Sequence, residues 1–135
     1  MTNATHTIGG WMTEQVFTIG DDQSLLAARQ RMHEHNIRHL PVLHGGHLVG
    51  VLSQRDIAMV ESLPGVELEA VAVEEAMAEE PWTVESGASL SDVATVMAER
   101  RLGTAIVVAG PDSDRVLGVF TTTDALRALA QFSGS

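Results

Sequence analysis

Two short phrases hold the side chains best suited to chemistry in this sequence: Ser53-Gln54-Arg55-Asp56 and Thr121-Thr122-Thr123-Asp124. Each follows a glycine-led apolar run, Gly50-Val51-Leu52 or Gly118-Val119-Phe120, and each leads into an apolar residue, Ile57 or Ala125. A hydroxyl followed three residues later by an acid, where a strand-like run gives way to a helix, has two physical uses. It is a capping box, in which the hydroxyl accepts from a backbone N–H that the helix leaves unsatisfied, a contribution of about 1 kcal/mol. It is also the frame of a sugar and anion site. The helix N-terminus offers N–H groups and positive potential to a phosphate, while the aspartate can accept both hydroxyls of a ribose. On the residues alone both readings stay open.

Other chemistry finds little support. There is no cysteine, which removes disulfides, thiolate metal sites and thiol nucleophiles. No Gly-x-Ser-x-Gly elbow, phosphate-loop lysine, His-Glu-x-x-His or Gly-x-Gly-x-x-Gly occurs, and the acidic pairs Asp21-Asp22, Glu74-Glu75 and Glu79-Glu80 read as solvated charge. The chain is not expected to be an enzyme. All six histidines lie within the first 47 residues, five of them at His33, His35, His39, His44 and His47. Imidazole is a common ligand of zinc, nickel and copper, so a divalent-metal sensor is the third-ranked alternative. Its spacing is poor: His33 and His35 point to different helix faces, and His44-x-x-His47 spans a glycine turn.

The formal net charge of −10 argues against DNA, RNA or an anionic membrane as a partner, because those are gripped by clustered cations. A small anion needs only two or three, and every cation here is an arginine, whose planar fork suits phosphate and carboxylate. No apolar run approaches the ~20 residues of a membrane span, and the start Met1-Thr2-Asn3-Ala4-Thr5-His6 lacks the features of a signal peptide. A soluble cytoplasmic protein is expected.

The elements that would carry the two phrases are duplicated along with them. Met12 to Ile19 is answered by Met77 to Val84, and Ser24-Leu25, Met32, Glu34 and Val42 by Ser89-Leu90, Met97, Glu99 and Val107. A repeat of this kind fixes architecture before any single residue does. In the first copy, Val16 to Ile19 reads as a short strand, and Ser24 opens a helix whose Leu25, Ala28 and Met32 share a face. Ile37 to Leu43 and Leu48 to Leu52 form a hairpin through His44-Gly45-Gly46-His47, and Ser53 starts a second helix reaching about Glu61. The second copy repeats this with Trp82 to Val84, a helix from Ser89, strands Thr104 to Val108 and Arg115 to Phe120, and a helix from Thr121 toward Ala130. The fold class is α/β (α+β): two pseudo-symmetric β-α-β-β-α repeats whose small sheets pack through their helices. The expected division of the 135 residues is one domain, with repeat one at 10–62, a connector at 63–75 that can hold a helical turn, and repeat two at 76–130. Met1 to Thr7 and Ser133 to Ser135 are expected to be frayed tails, and neither half is expected to fold alone.

With Met12-Thr13, Ile37-Arg38-His39-Leu40-Pro41-Val42 and Gly50 to Ile57 in that order, and doubled, the sequence resembles a tandem pair of cystathionine β-synthase (CBS) domains, the Bateman module, from Gly10 to about Leu129. The resemblance implies a regulatory module, with no chemistry of its own, that binds an adenosine-containing ligand (AMP, ADP, ATP, S-adenosylmethionine or a dinucleotide) between the repeats, needs no cofactor, and forms a homodimer acting on another protein. It further implies that Asp124 with Thr121 and Thr123 faces Val16, Ile37, Arg38 and His39, and that Asp56 with Ser53 and Arg55 faces Pro81, Leu102 and Gly103. Arg38-His39 becomes Gly103-Thr104 in the second copy and Pro41 becomes Ile106, so the Asp124 pocket is expected to fill first. A ligand-free dimerisation or interaction scaffold, with both phrases serving only as caps, is the alternative.

Overall fold

A computed structural model describes residues 6–133. The expected tails at Met1 to Thr5 and at Gly134-Ser135 lie outside the described residues; Thr7, by contrast, bridges Ser89, and Ile8 after it is fully buried.

The chain divides into two compact units, Phe17–Pro81 and a second that joins the described residues up to Val16 to those from Trp82 onward. The contiguous unit contains β1 (Ile19–Gly20), α1 (Leu25–His35), β2 (His39–His44), β3 (His47–Ser53), α2 (Gln54–Glu61) and β4 (Ala78–Glu79), with 3-10 turns at Leu68–Ala70 and Val73–Glu75 in the connector. Its sheet has the order β1-β2-β3-β4, parallel at the first pairing and antiparallel thereafter. The other unit holds β5 (Thr83–Glu85), α3 (Leu90–Arg100), β6 (Thr104–Val108), β7 (Val116–Thr121) and α4 (Thr122–Ser133), with sheet order β5-β6-β7.

Local chemistry sets these boundaries. Ser24 and Ser89 cap α1 and α3 by accepting from the N–H groups of Ala27 and Asp92 at 3.1 and 3.3 Å. Both helices end on a residue in the left-handed region, Asn36 (φ 52°) and Arg101 (φ 56°). The β2–β3 hairpin turns on Gly45 and Gly46, both at positive φ, as a tight two-residue connection requires. Pro41 explains why β1 is shorter than β5. Its counterpart Ile106 donates its N–H to Trp82 O at 3.0 Å, a bond a proline cannot make, so the parallel pairing starts one residue later in the first copy.

Each unit has its own core. Leu25, Ala28 and Met32 of α1 meet Leu40, Val42, Leu52, Ile57 and Val73 in one. In the other, Val93 and Met97 of α3 meet Ala105, Val107, Phe120 and Ile8. The alternation of Leu40, Val42 and of Ala105, Val107 on one sheet face is the period-two pattern of strands covered by a helix.

The packed units do not coincide with the sequence repeats. The lead-in of the first copy, Met12-Thr13, lies against β7: Thr13 exchanges two backbone hydrogen bonds with Val119, at 2.8 and 3.0 Å. The lead-in of the second copy, Met77-Ala78, does the same for β3 through β4. Glycine is needed where these segments cross. A Cβ on Gly118 would stand 2.7 Å from Thr13 O and 3.0 Å from Met12 Sδ, and one on Gly50 would stand 2.6 Å from Met77 Sδ and 2.8 Å from Ala78 O.

Candidate functional site

Both hydroxyl-x-x-Asp phrases sit where a strand, β3 or β7, runs directly into a helix. In the contiguous unit, β3 ends at Ser53 and α2 begins at Gln54. The Ser53 hydroxyl accepts from Asp56 N–H at 3.0 Å, while an Asp56 carboxylate oxygen, Oδ2, accepts from Ser53 N–H at 2.9 Å. This is a reciprocal capping box. The other carboxylate oxygen, Oδ1, has no hydrogen-bond partner among the described residues, and Asp56 is only partly buried.

In the second unit Thr121 and Asp124 form the same box, Thr121 N–H donating at 2.9 Å and Asp124 N–H reaching the Thr121 hydroxyl at 3.3 Å. More is added here. Asp124 Oδ2 also accepts from the Thr121 hydroxyl at 3.1 Å, and Oδ1 accepts from the Thr13 hydroxyl and from Arg127 Nη1, both at 3.1 Å. Asp124 is 1% exposed, the one buried charged residue among the described residues. A buried carboxylate demands such partners.

The remaining predicted residues fall in the two units as follows. Ile37, Arg38 and His39 lead into β2 of the contiguous unit, and Gln54 N–H donates to Arg38 O at 2.8 Å, which ties that segment to the start of α2. A cleft of about 440 Å³ between α1 and α2 is lined by Ile37 and Arg38 together with Arg29, His33, Gln54 and Ile57. Arg38 and Arg55 are exposed, and Pro81 is half-buried at the unit's end. In the second unit Leu102 and Gly103 occupy the equivalent place, with Thr122 N–H donating to Gly103 O at 3.1 Å and a cleft of about 410 Å³ between α3 and α4. Thr123 is exposed and Val16 half-buried. Thr104, in register with Thr121, carries a buried hydroxyl with no hydrogen-bond partner among the described residues.

His39 pairs in register with Ser53, and its pKa is lowered, chiefly by burial, against an opposing pull from Asp56 and with a further push down from Arg38. An imidazole biased by burial toward its neutral form therefore stands near Asp56. His44 is raised instead, by its hydrogen bond and charge interaction with Asp21 at 2.9 Å, with Asp22 and Glu74 adding to it. Among the described residues no group of three or more His, Cys, Asp or Glu side chains is placed to hold a metal ion. No helix among them is long and apolar enough to cross a membrane.

Sequence reasoning missed Thr13 and Arg127 as partners of Asp124. Arg127 was legible as an i+3 neighbour on α4. Thr13 was not, because its contact spans 111 positions.

Strand–capped helix units of this kind, doubled in one chain, define the class. The CBS domain profile matches twice, at residues 8–62 and 73–131, and the chain belongs to the CBS domain family. It is 30% identical over 113 residues to the CBS domain-containing protein YhcV of Bacillus subtilis, covering 84% of this chain and 78% of that one. Among solved structures, the fold matches CBSX2 in complex with AMP with a TM-score of 0.83 at 23% identity, covering 95% of this chain and 99% of the other. It also matches the CBS domain pair of MJ0100 in complex with 5′-methylthioadenosine and S-adenosyl-L-methionine, with a TM-score of 0.81 at 26% identity, over 95% and 96% of the two chains.

Proposed function

We propose that this protein is a regulatory module, not an enzyme, that senses an adenosine-containing ligand such as AMP, ADP, ATP or S-adenosylmethionine. The observation that carries the reading is the duplicated carboxylate in the first turn of α2 and of α4, each placed by a strand whose last hydroxyl caps the helix. That frame offers a diol acceptor next to helix N–H groups. AMP in the CBSX2 complex, and 5′-methylthioadenosine and S-adenosyl-L-methionine in the MJ0100 complex, all contain a ribose diol, which supports the assignment. Ser53, Arg55 and Asp56, and Thr121, Thr123 and Asp124, are the proposed sugar and phosphate contacts; Ile37, Arg38, His39, Val16, Pro81, Leu102 and Gly103 are the proposed base and phosphate surroundings. The ligand acts by population shift, stabilising whichever arrangement it binds better.

The module is further proposed to work in the cytoplasm as a homodimer, regulating a separate protein. Support for the dimer comes from Met59 on α2 and Leu63 just beyond its end, 64% and 56% exposed, and from Leu126 and Leu129 on α4, 60% and 61% exposed. A ligand-free interaction scaffold is the second reading, favoured by the cap hydrogen bonds that both aspartates make. A thermal-shift titration separates the two: a ligand present at 100 times its dissociation constant stabilises by about 2.7 kcal/mol, and a scaffold shows no shift. No heat in calorimetry with AMP, ADP, ATP or S-adenosylmethionine at millimolar concentration, using nucleotide-stripped protein, would sink the sensor reading.

A further inference from the structure

We propose that Thr13 and Arg127 latch the Asp124 carboxylate, so that Asp56 is the aspartate open to a ligand diol and Asp124 accepts one only when the lead-in segment withdraws its hydroxyl. The proposal rests on the nucleotide reading above. It reverses the order of filling that the sequence motifs favour.

A carboxylate offers about four lone-pair sites. At Asp124 four donors occupy them: the Thr13 hydroxyl and Arg127 Nη1 on Oδ1, and the Thr121 N–H and hydroxyl on Oδ2, at 3.1, 3.1, 2.9 and 3.1 Å. At Asp56 one donor is present, the Ser53 N–H at 2.9 Å; the Ser53 hydroxyl accepts from Asp56 N–H but, unlike that of Thr121, makes no hydrogen bond to the carboxylate. A diol brings two donors, which Asp56 can take without losing any partner.

The difference is written in the sequence. Ala78 stands in the second lead-in where Thr13 stands in the first, and Met59 follows Asp56 where Arg127 follows Asp124. Ala78 pairs with Val51 in the register that Thr13 has with Val119, so the two backbones present the same position and only one carries a hydroxyl. Both strand hydrogen bonds to Val119 hold Thr13 in place, so its hydroxyl is already oriented toward the carboxylate. The first hydroxyl of a diol arriving at Asp124 displaces that of Thr13, exchanging one hydroxyl donor for another, and the second competes with Arg127. Losing the gain of one charge-assisted bond lowers affinity about ten- to a hundredfold. Ligand uptake at Asp124 is thereby coupled to movement of residues leading up to Val16, the segment that completes that unit's sheet.

The test is titration calorimetry of nucleotide-stripped full-length protein with AMP and with S-adenosylmethionine, using 2′-deoxy-AMP as the diol control. Wild-type protein is expected to show one strong site per chain that disappears in Asp56→Ala and is weakened with 2′-deoxy-AMP. Thr13→Val, which keeps the backbone bonds to Val119, is expected to add a second site or strengthen a weak one by about tenfold or more. That gain should be absent from the Thr13→Val, Asp124→Ala double variant. Arg127→Gln, at an exposed side chain, serves as a second variant with a smaller change in the same direction. Binding by wild-type protein that Thr13→Val and Arg127→Gln leave unchanged overturns the latch and spares the sensor. A strong site lost in Asp124→Ala and kept in Asp56→Ala overturns it as well. No uptake of either ligand by any variant removes the nucleotide reading and the latch together.

Discussion

Gly118→Ala tests the crossing of the lead-in over β7. A Cβ at this position stands 2.7 Å from a backbone carbonyl oxygen, that of Thr13, which cannot rotate away as a side chain would. Relief requires the segment to lift, at the expense of its two hydrogen bonds with Val119, at 2.8 and 3.0 Å. Overpacking costs about 1–3 kcal/mol, and two backbone bonds contribute about 1 kcal/mol each. Against this, alanine is better than glycine inside a strand by about 0.5–1 kcal/mol. The net expectation is a loss of about 2–4.5 kcal/mol. In urea, with a slope of about 2 kcal/mol per molar, the midpoint falls by about 1–2 M. Gly87→Ala is the control, since nothing lies within 4 Å of its Cβ and its φ is not positive; a shift within about 0.5 kcal/mol is expected there. Equal midpoints for the two variants would refute the claim that close approach of the lead-in is what requires glycine. A fall in midpoint with an altered slope would instead report a change in cooperativity.

Four further outcomes follow from the structure. Arg101→Gly relieves a left-handed helix C-terminus and is expected to stabilise by about 0.5–1 kcal/mol, with a smaller gain for Asn36→Gly, because asparagine tolerates that conformation; thermal unfolding reads both. Phe120→Ala, removing a fully buried ring, is expected to cost about 3–5 kcal/mol in chemical denaturation. In an NMR titration His39 is expected to have its midpoint below, and His44 above, that of an ordinary histidine. The signs for stability are opposite: the His39 contribution is present above the unfolded pKa and is lost as pH falls through the lowered folded value, whereas that of His44 is present below the unfolded pKa and is lost as pH rises through the raised one. Leu126→Asp with Leu129→Asp is expected to yield monomers in sedimentation experiments if α4 forms the proposed dimer contact.

Much of the fold was legible because its signals are local. Ser24 and Ser89 announce helices by cap chemistry, Gly45-Gly46 a hairpin by positive φ, and the doubled phrases the pseudo-symmetry. Strand edges moved where pairing partners decide them, by a residue or two in most strands and by three at β1, which was expected from Val16 and starts at Ile19 because Pro41 withholds the donor for an earlier pairing. The connector resolves into two 3-10 turns rather than one. The exchange of lead-ins was hidden, because Met12-Thr13 and Met77-Ala78 carry no mark of which β-strand they cross. At the site, the box geometry of Ser53 with Asp56 and of Thr121 with Asp124 could be read from spacing, whereas the saturation of Asp124 depends on Thr13, remote in sequence.

The unequal continuity of the two units also orders their formation. Phe17–Pro81 is an unbroken stretch, so all its contacts can close as soon as it has left the ribosome. The segment ending at Val16 is made before that stretch and yet must wait for Val119, with the whole of the other unit synthesised in between. During that interval Ile8, Trp11 and Met12 have none of their native neighbours from Trp82 onward, so residues made before Phe17–Pro81 find their place after it.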